Sequence, residues 1–325
     1  MGMKKNIKVY VKTPARLHLG LIDLNGDIGR IYGGLGVALD HPNVILETQK
    51  SKPLTVSGEK TELTLNLARR FLKAYKIKEN VAIDVKAVIP QHVGLGSGTQ
   101  LALAVAASIS RLFNVKGSPN EWAAVLGRTA QSGVGTGVFA QGGLVLESGK
   151  NTQNPNHKTI PIICRLRFPD EWLFVVAIPN TKKGLAKESE TAAFKELPPM
   201  LAQEVGKICR LTMMKLLPAI AEKDIENFGG ALTQIQNIVG DNFAKAQGGR
   251  FSSSTAAQTI GFMLENGAYG AGQSSWGPAV YCVVKSSEAQ KVQRKTQAFL
   301  EGNVGGNVFV AKANNRGASI RVYKN

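Results

Sequence analysis

From Val81 to Ile89 the apolar residues Val81, Ile83, Val85, Ala87 and Ile89 alternate with Ala82, Asp84, Lys86 and Val88, and Pro90 ends the run. A two-residue period over this length predicts a half-buried strand. Elsewhere the period changes. Leu63, Leu67, Phe71, Leu72 and Tyr75 recur at helical spacing and predict a helix over 62–75. Residues 101–113 are apolar and small on nearly every face, as a central buried helix should be. Ser118, Pro119 and Glu121 supply an N-cap, a first helical residue and a capping-box partner for the next helix. Shorter apolar runs predict strands over 8–13, 43–49 and 142–147. Between the first two, Pro14 opens a Gly-studded stretch to Gly36 that reads as a loop.

The second half begins beyond a polar, turn-rich excursion at 150–158. A core strand is predicted over 172–178, then two helical segments within 201–237 broken near Pro218. Strands over 279–284, 307–311 and 318–323 surround a helix over 288–300. Helices mixed with a largely antiparallel sheet define an α+β class. The organisation reads as two domains, 1–165 and 166–325, with no internal repeat or low-complexity tract.

Composition narrows the function. The chain has 325 residues, 43% of them hydrophobic, enough for a large core. It has no run of about 18 apolar residues, so no membrane span is expected, and the charged start Met-Gly-Met-Lys-Lys-Asn is followed by no apolar signal segment. Cys164, Cys209 and Cys282 lie far apart and read as reduced thiols of a cytoplasmic protein. The net charge of +17 favours anionic partners. Basic residues run no longer than pairs (Lys4-Lys5, Arg69-Arg70, Lys182-Lys183) and aromatics are 6%, which weighs against a nucleic-acid face and toward phosphorylated small molecules.

The candidate chemistry centres on Gly94-Leu95-Gly96-Ser97-Gly98-Thr99, between the alternating strand and the buried helix. Glycines let consecutive N–H groups converge on an anion, and the helix N-terminus adds its own donors. No Gly-Lys-Ser/Thr follows, so this is no Walker A loop, and no repeating parallel βαβ unit supports a dinucleotide site. Alone, the loop reads equally well as a tight strand–helix turn.

It is not alone. The segment Ile89 to Gly98 resembles the phosphate-binding motif of the GHMP superfamily, which includes galactokinase and the homoserine and mevalonate kinases. Pro14-Ala15-Arg16-Leu17-His18-Leu19-Gly20 resembles its N-terminal motif, and Gly270-Ala271-Gly272-Gln273-Ser274-Ser275-Trp276-Gly277 its C-terminal glycine-rich motif. The resemblance implies a ribosomal-protein-like N-terminal domain and a ferredoxin-like C-terminal domain with the active site between them. Mevalonate-kinase relatives carry Ser-Gly-x-Asp, whose Asp serves the acceptor hydroxyl; here Ser132-Gly133-Val134-Gly135 puts glycine there. Lacking that base, the chain looks less like a kinase. Its departures are similar to the β-ribofuranosylaminobenzene 5′-phosphate synthase branch of methanopterin biosynthesis. That branch joins phosphoribosyl diphosphate to para-hydroxybenzoate or para-aminobenzoate with loss of diphosphate and carbon dioxide, using Mg²⁺. A homodimer is also implied. An ATP-dependent small-molecule kinase and a basic RNA-binding module are the alternatives.

Within that resemblance, Arg16 and His18 face the same way if extended, and are expected to hold a substrate phosphate or carboxylate. Gly94 to Thr99 hold phosphate. Gln273, Ser274 and Ser275 offer donors, and Trp276 either stacks on the arene or packs the domain joint. Lys182 and Lys183 sit in a Lys-rich segment over the phosphates, and Glu190 is a candidate acid/base. Asp23 and Ser97 are the candidate metal ligands, although Asp23 and Asp27 also suit turn-capping around Gly26. Arg30 either meets an anion or starts a strand. His41, His92 and His157 show no ligating pattern.

Overall fold

Two long antiparallel strands, β1 (Ile7–Asp23) and β2 (Arg30–Ser51), form the spine of the molecule. The computed structural model describes residues 7–128, 132–154, 159–181, 194 and 197–324. The expected loop across 14–36 is instead the extended continuation of both strands. Leu17, Leu19, Leu21, Leu35, Val37 and Leu39 keep their side chains buried through it. Register shifts between Thr13 and Ala15 and between His18 and Gly20 bend the pair without ending it.

Along the chain follow β3 (Thr55–Gly58), α1 (Thr61–Ala74), β4 (Asn80–Ala87), α2 (Ser97–Phe113), α3 (Pro119–Val125), α4 (Val134–Gln141), β5 (Leu144–Glu147), β6 (Lys150–Asn151) and β7 (Ile162–Leu166). The second half supplies β8 (Trp172–Pro179), α5 (Ala202–Leu211), α6 (Leu217–Glu222), α7 (Ile225–Gln247), α8 (Ser254–Glu265), β9 (Gly270–Gln273), β10 (Val280–Lys285), α9 (Ala289–Glu301), β11 (Gly306–Lys312) and β12 (Ser319–Lys324).

The first sheet runs β12-β1-β2-β4-β3, with β5 and β6 on β2 and β7 on β5. Its last strand comes from the chain's far end and pairs antiparallel with β1. As the composition of 101–113 predicts, α2 is buried on almost every side, with Leu101, Leu103, Val105 and Ile109 at most 2% exposed. The capping box of α3 forms as read: Glu121 N–H donates to Ser118 Oγ and Ser118 N–H to Glu121 Oε2.

The second sheet, β11-β8-β10-β9, is antiparallel throughout. Ala256, Ile260 and Met263 of α8 and Val292 and Leu300 of α9 cover one face, against Val175, Val280 and Cys282. The opposite face meets the main core through Phe174, Val176, Tyr281 and Val283. Pro218 does not break the chain. A π-turn at Thr212–Leu216 precedes it, so it sits in the first turn of α6, where a missing N–H is tolerated. The break falls at Lys223, in the left-handed region, before Asp224 caps α7.

Helix α7 lies where the two sheets meet. Gln236, 6% exposed, donates through Nε2 to the Leu19 carbonyl of β1 (2.8 Å) and accepts through Oε1 from the Gln273 N–H of β9 (2.8 Å). One buried amide thus ties α7 to both sheets beside the residues singled out above.

Candidate active site

The loop after β4 delivers the N-terminus of α2. Gly96 (φ +77°) caps the helix, and its carbonyl takes the Gln100 N–H. The Ser97, Gly98 and Thr99 N–H groups therefore head the helix with no partner inside it, at the positive end of its dipole. Two glycines are required here by both conformation and space. At Gly94 (φ +88°) a Cβ would lie 2.2 Å from the Ser274 carbonyl oxygen, and at Gly96 one would lie 2.8 Å from Arg16 Cγ. The Arg128 guanidinium lies over Gly98, where a Cβ would stand 2.9 Å from its Nη1. A half-buried cradle of backbone donors flanked by two guanidiniums is suited to a phosphate or diphosphate.

The three motifs meet at one hydroxyl. Ser274 Oγ accepts from the His18 N–H (2.9 Å) and donates to the Gly94 carbonyl (2.7 Å), which also accepts from Arg16 Nη1. The Arg16 N–H donates to the Leu95 carbonyl at 3.2 Å. This knot of hydrogen bonds locks segments far apart in sequence in register around the cradle.

Beyond Arg16 opens a pocket with an aromatic wall and an otherwise mostly polar lining. Phe243 and Trp276 meet edge to face at 4.8 Å, and Phe194 packs edge-on against both, at 5.6 and 5.5 Å. Arg16, His18 and Ser132 line the end nearer the cradle, and Arg250, paired bidentately with Asp241, lines the α7 side. An aromatic slot with a guanidinium at its inner end fits a flat, anionic arene.

Behind that inner end lies a buried polar cluster. His18 is 7% exposed with Nε2 3.4 Å from Ser132 Oγ; burial, and then the neighbouring Arg16 charge, lower its pKa to about 3. His18 is thus a neutral imidazole at physiological pH and does not hold an anion by charge. Glu147, 1% exposed, accepts from the Gly149 N–H (2.6 Å) and the Gly133 N–H (3.2 Å) and also hydrogen-bonds Ser132. Burial raises its carboxyl to about 7, against the opposing pull of those hydrogen bonds and of Arg30.

The structure sorts the sequence candidates. Arg16, His18, Gly94, Gly96, Ser97, Gly98, Thr99, Ser275 and Trp276 gather around the cradle and pocket. Leu95 contributes backbone only, its side chain being 1% exposed in the core. Ser274 is fully buried and spends its hydroxyl on the knot, so it is no substrate donor. Gln273 lines the pocket but spends its amide on Ser252 and Ser275. Trp276 packs in the joint, 8% exposed, and one side of it lines the pocket.

Asp23 and Ser97 do not form one metal site. Asp23 lies seven residues along β1 from Arg16, about 20 Å at strand rise, and its Oδ1 caps the turn through Asn25 and Gly26 N–H groups. Arg30 starts β2 and clasps the Ser148 carbonyl and hydroxyl, making it structural. Lys182, Lys183, Glu190 and His157 lie outside the described residues. Sequence reasoning missed Arg128, Phe243, Gln236 and Glu147. Only Glu147 left a signal: a carboxylate closing the otherwise apolar strand β5.

Gly135, at the position of the kinase acid, packs against the cradle. A Cβ there would stand 2.8 Å from Thr99 Cγ2, so the space of an acid is already filled.

Comparison with known proteins identifies the family. Residues 62–142 match the model of the GHMP kinases N terminal domain and residues 216–302 that of the GHMP kinases C terminal. Beta-ribofuranosylphenol 5′-phosphate synthase of Archaeoglobus fulgidus is 35% identical, covering 96% of this chain and 99% of that relative. The protein of the same name from Methanothermobacter thermautotrophicus is 33% identical, covering 96% and 98%. In fold, the chain is similar to Lactococcus lactis galactokinase complexed with galactose, with a TM-score of 0.72 at 12% identity over 96% of this chain and 95% of that one. Among the described residues no helix is long and apolar enough to cross a membrane.

Proposed function

The chain belongs to the β-ribofuranosylphenol 5′-phosphate synthases of the GHMP fold, and we propose that it joins phosphoribosyl diphosphate to a para-substituted benzoate. The products are a β-ribofuranosyl-arene 5′-phosphate, diphosphate and carbon dioxide, a step of methanopterin biosynthesis. The phenol in its relatives' name favours para-hydroxybenzoate over para-aminobenzoate. One observation carries the reading: Arg16 joins an anion cradle to an aromatic pocket. In this reading the cradle amides, Arg16 and Arg128 hold the phosphates, and Phe243 and Trp276 hold the ring. The arene attacks through the carbon bearing its carboxylate, and carbon dioxide leaves in place of a proton. The acceptor base of a kinase has no role in that step, which accords with Gly135.

Magnesium belongs to this reading as a passenger of the diphosphate. Among the described residues no group of three His, Cys, Asp or Glu could hold a metal. The donor set at the cradle, hydroxyls of Ser97 and Thr99 without a carboxylate, suits an ion bound mainly by substrate phosphates and water. When bound it would neutralise the departing diphosphate. A cytoplasmic location accords with three free cysteines.

The test is carboxyl-labelled para-hydroxybenzoate or para-aminobenzoate with phosphoribosyl diphosphate and Mg²⁺. Release of labelled carbon dioxide without ATP is the expected result. Phosphorylation of homoserine or mevalonate at the expense of ATP, with no label released, would restore the kinase alternative.

A further inference from the structure

Attack on ribose C1 fixes which way the arene lies in the pocket. Its carboxylate-bearing carbon must reach the cradle, so it sits at the end lined by Arg16, His18 and Ser132, and the para substituent points away toward α7. The polar lining on that side is three glutamines and Arg250. The glutamines are engaged within the protein. Gln236 joins the Leu19 carbonyl to the Gln273 N–H. Gln273 accepts from the Ser252 N–H (2.7 Å) and donates to the Ser275 carbonyl (2.9 Å), and Gln247 donates to the Arg250 carbonyl (2.7 Å). Arg250 is different. Its guanidinium is a planar fork of N–H donors. Nε donates to Asp241 Oδ1 (2.7 Å) and Nη2 to Asp241 Oδ2 (3.0 Å), and among the described residues its other N–H groups have no acceptor. The aim is built into α7. The Arg250 stem crosses that helix at Gly240, where a Cβ would stand 2.7 Å from Arg250 Cγ and 2.5 Å from its carbonyl oxygen. Glycine is a poor residue inside a helix, and here it leaves the room that Arg250 occupies.

We propose that Arg250, aimed by Asp241, selects the para substituent: it donates to the arene's para-oxygen, holds it as the phenolate and disfavours a para-amino group in its place. The inference rests on the synthase reading above. A phenolate oxygen accepts from the free edge of the guanidinium, whereas an aniline nitrogen has its lone pair drawn into the ring and accepts poorly. The difference grows along the reaction. From the phenolate, an oxygen electron pair enters the ring, the carboxylate-bearing carbon bonds to ribose C1, and the C1–O bond to diphosphate breaks. The neutral ring carbonyl so formed still accepts from Arg250. Departure of carbon dioxide returns its bonding pair to the ring and the oxygen to phenolate. The same steps from an amine place a positive iminium nitrogen against the guanidinium, and like charges repel. The phenol proton leaves to water on binding and is regained on release. The half-exposed Arg250–Asp241 pair stands where the pocket meets solvent.

The test uses the full chain with phosphoribosyl diphosphate, Mg²⁺ and each benzoate in turn. The wild type should prefer para-hydroxybenzoate. In Arg250→Gln, kcat/KM for para-hydroxybenzoate should fall about tenfold to a hundredfold, the range of a hydrogen bond to a charged group. With para-aminobenzoate the change should stay within about threefold or be a gain. Binding is read separately, with diphosphate in place of phosphoribosyl diphosphate so that nothing turns over. A free phenol is protonated near neutrality, so the red-shifted phenolate absorbance should appear on binding to the wild type and be lost in Arg250→Gln. Arg250→Lys, which keeps a cation beside Asp241 but not the fork, should show the same split in smaller measure if Arg250→Gln melts early. Equal losses on both benzoates would make Arg250 a brace for the turn after α7 and overturn the inference. So would a wild type that prefers para-aminobenzoate, or the absence of a phenolate band on binding. That band decides alone if para-aminobenzoate is not turned over. If the wild type releases carbon dioxide from neither benzoate, the synthase reading fails, and this inference with it.

Discussion

Ser274→Ala tests whether one buried hydroxyl holds the site together. The side chain is fully buried, accepting from the His18 N–H at 2.9 Å and donating to the Gly94 carbonyl at 2.7 Å. Alanine leaves the His18 N–H without that partner in a dry environment, at a cost of about 1–3 kcal/mol. The Gly94 carbonyl keeps Arg16 Nη1 and so loses only one of two bonds, about 0.5–1.5 kcal/mol. The sum is roughly 2–4 kcal/mol, which at about 2 °C per kcal/mol lowers Tm by about 4–8 °C. Because the same hydroxyl sets the distance between cradle and pocket, kcat/KM at 25 °C should fall at least about tenfold while the protein is still folded. Differential scanning calorimetry and carbon dioxide release read the two effects separately. Unchanged Tm together with unchanged kcat/KM would refute the knot. A lower Tm at full activity would leave it structural only.

Three further outcomes follow from the same geometry. Arg16→Ala should cut kcat/KM at least about tenfold, about 1.4 kcal/mol, and Arg16→Lys should recover only part, since Lys keeps the charge but not the fork. Because Arg16 Nη1 also donates to the Gly94 carbonyl, both variants should melt slightly earlier; full activity in both would remove Arg16 from the site. Gly135→Asp should create no ATP-dependent kinase and should destabilise by about 1–3 kcal/mol through overpacking against Thr99, read by ADP release and Tm. For pH, His18 is held near 3 against 6.5 when unfolded, so the unfolded chain binds the extra proton and stability falls as pH drops from about 6.5 toward 3. Glu147 acts oppositely: the folded state binds the extra proton between 4.5 and about 7, so its contribution is lost as pH rises through that window. A wild-type Tm that falls below pH 6.5 less in His18→Gln would agree; parallel profiles would not.

Much of the fold was legible because its elements carry their own periods. The strict alternation at 81–89, the small apolar faces of α2 and the Ser118-Pro119-Glu121 cap are local statements, and local chemistry satisfies them. The run from 14 to 36 reads as a loop because glycine has no side chain to register a period. Its alternation lives in Leu17, Leu19 and Leu21 on one strand and Leu35, Val37 and Leu39 on the other, across a turn. Pro218 misled for a different reason. A proline marks a missing donor, and a π-turn before it changes which carbonyl would have needed that donor.

The site divides along the same line. The three glycine-bearing motifs were readable because backbone donors at a ligand demand glycine locally, whatever the rest of the chain does. The division of labour inside them was not. Gln273 and Ser274 looked like substrate donors, but a buried polar side chain must find a partner, and the partners that claim these two come from distant segments: Ser252, His18 and Gly94. Glu147 is the reverse case. In sequence it is a charge at the end of Leu144-Val145-Leu146, where a surface-facing end is the ordinary outcome. In the fold β5 lies between β2 and β7, so that end is enclosed, and the carboxyl can remain there only by accepting Gly133, Gly149 and Ser132 as donors. A carboxyl held buried behind the pocket by the backbone donors of two separate turns is the feature that only the assembled chain reveals.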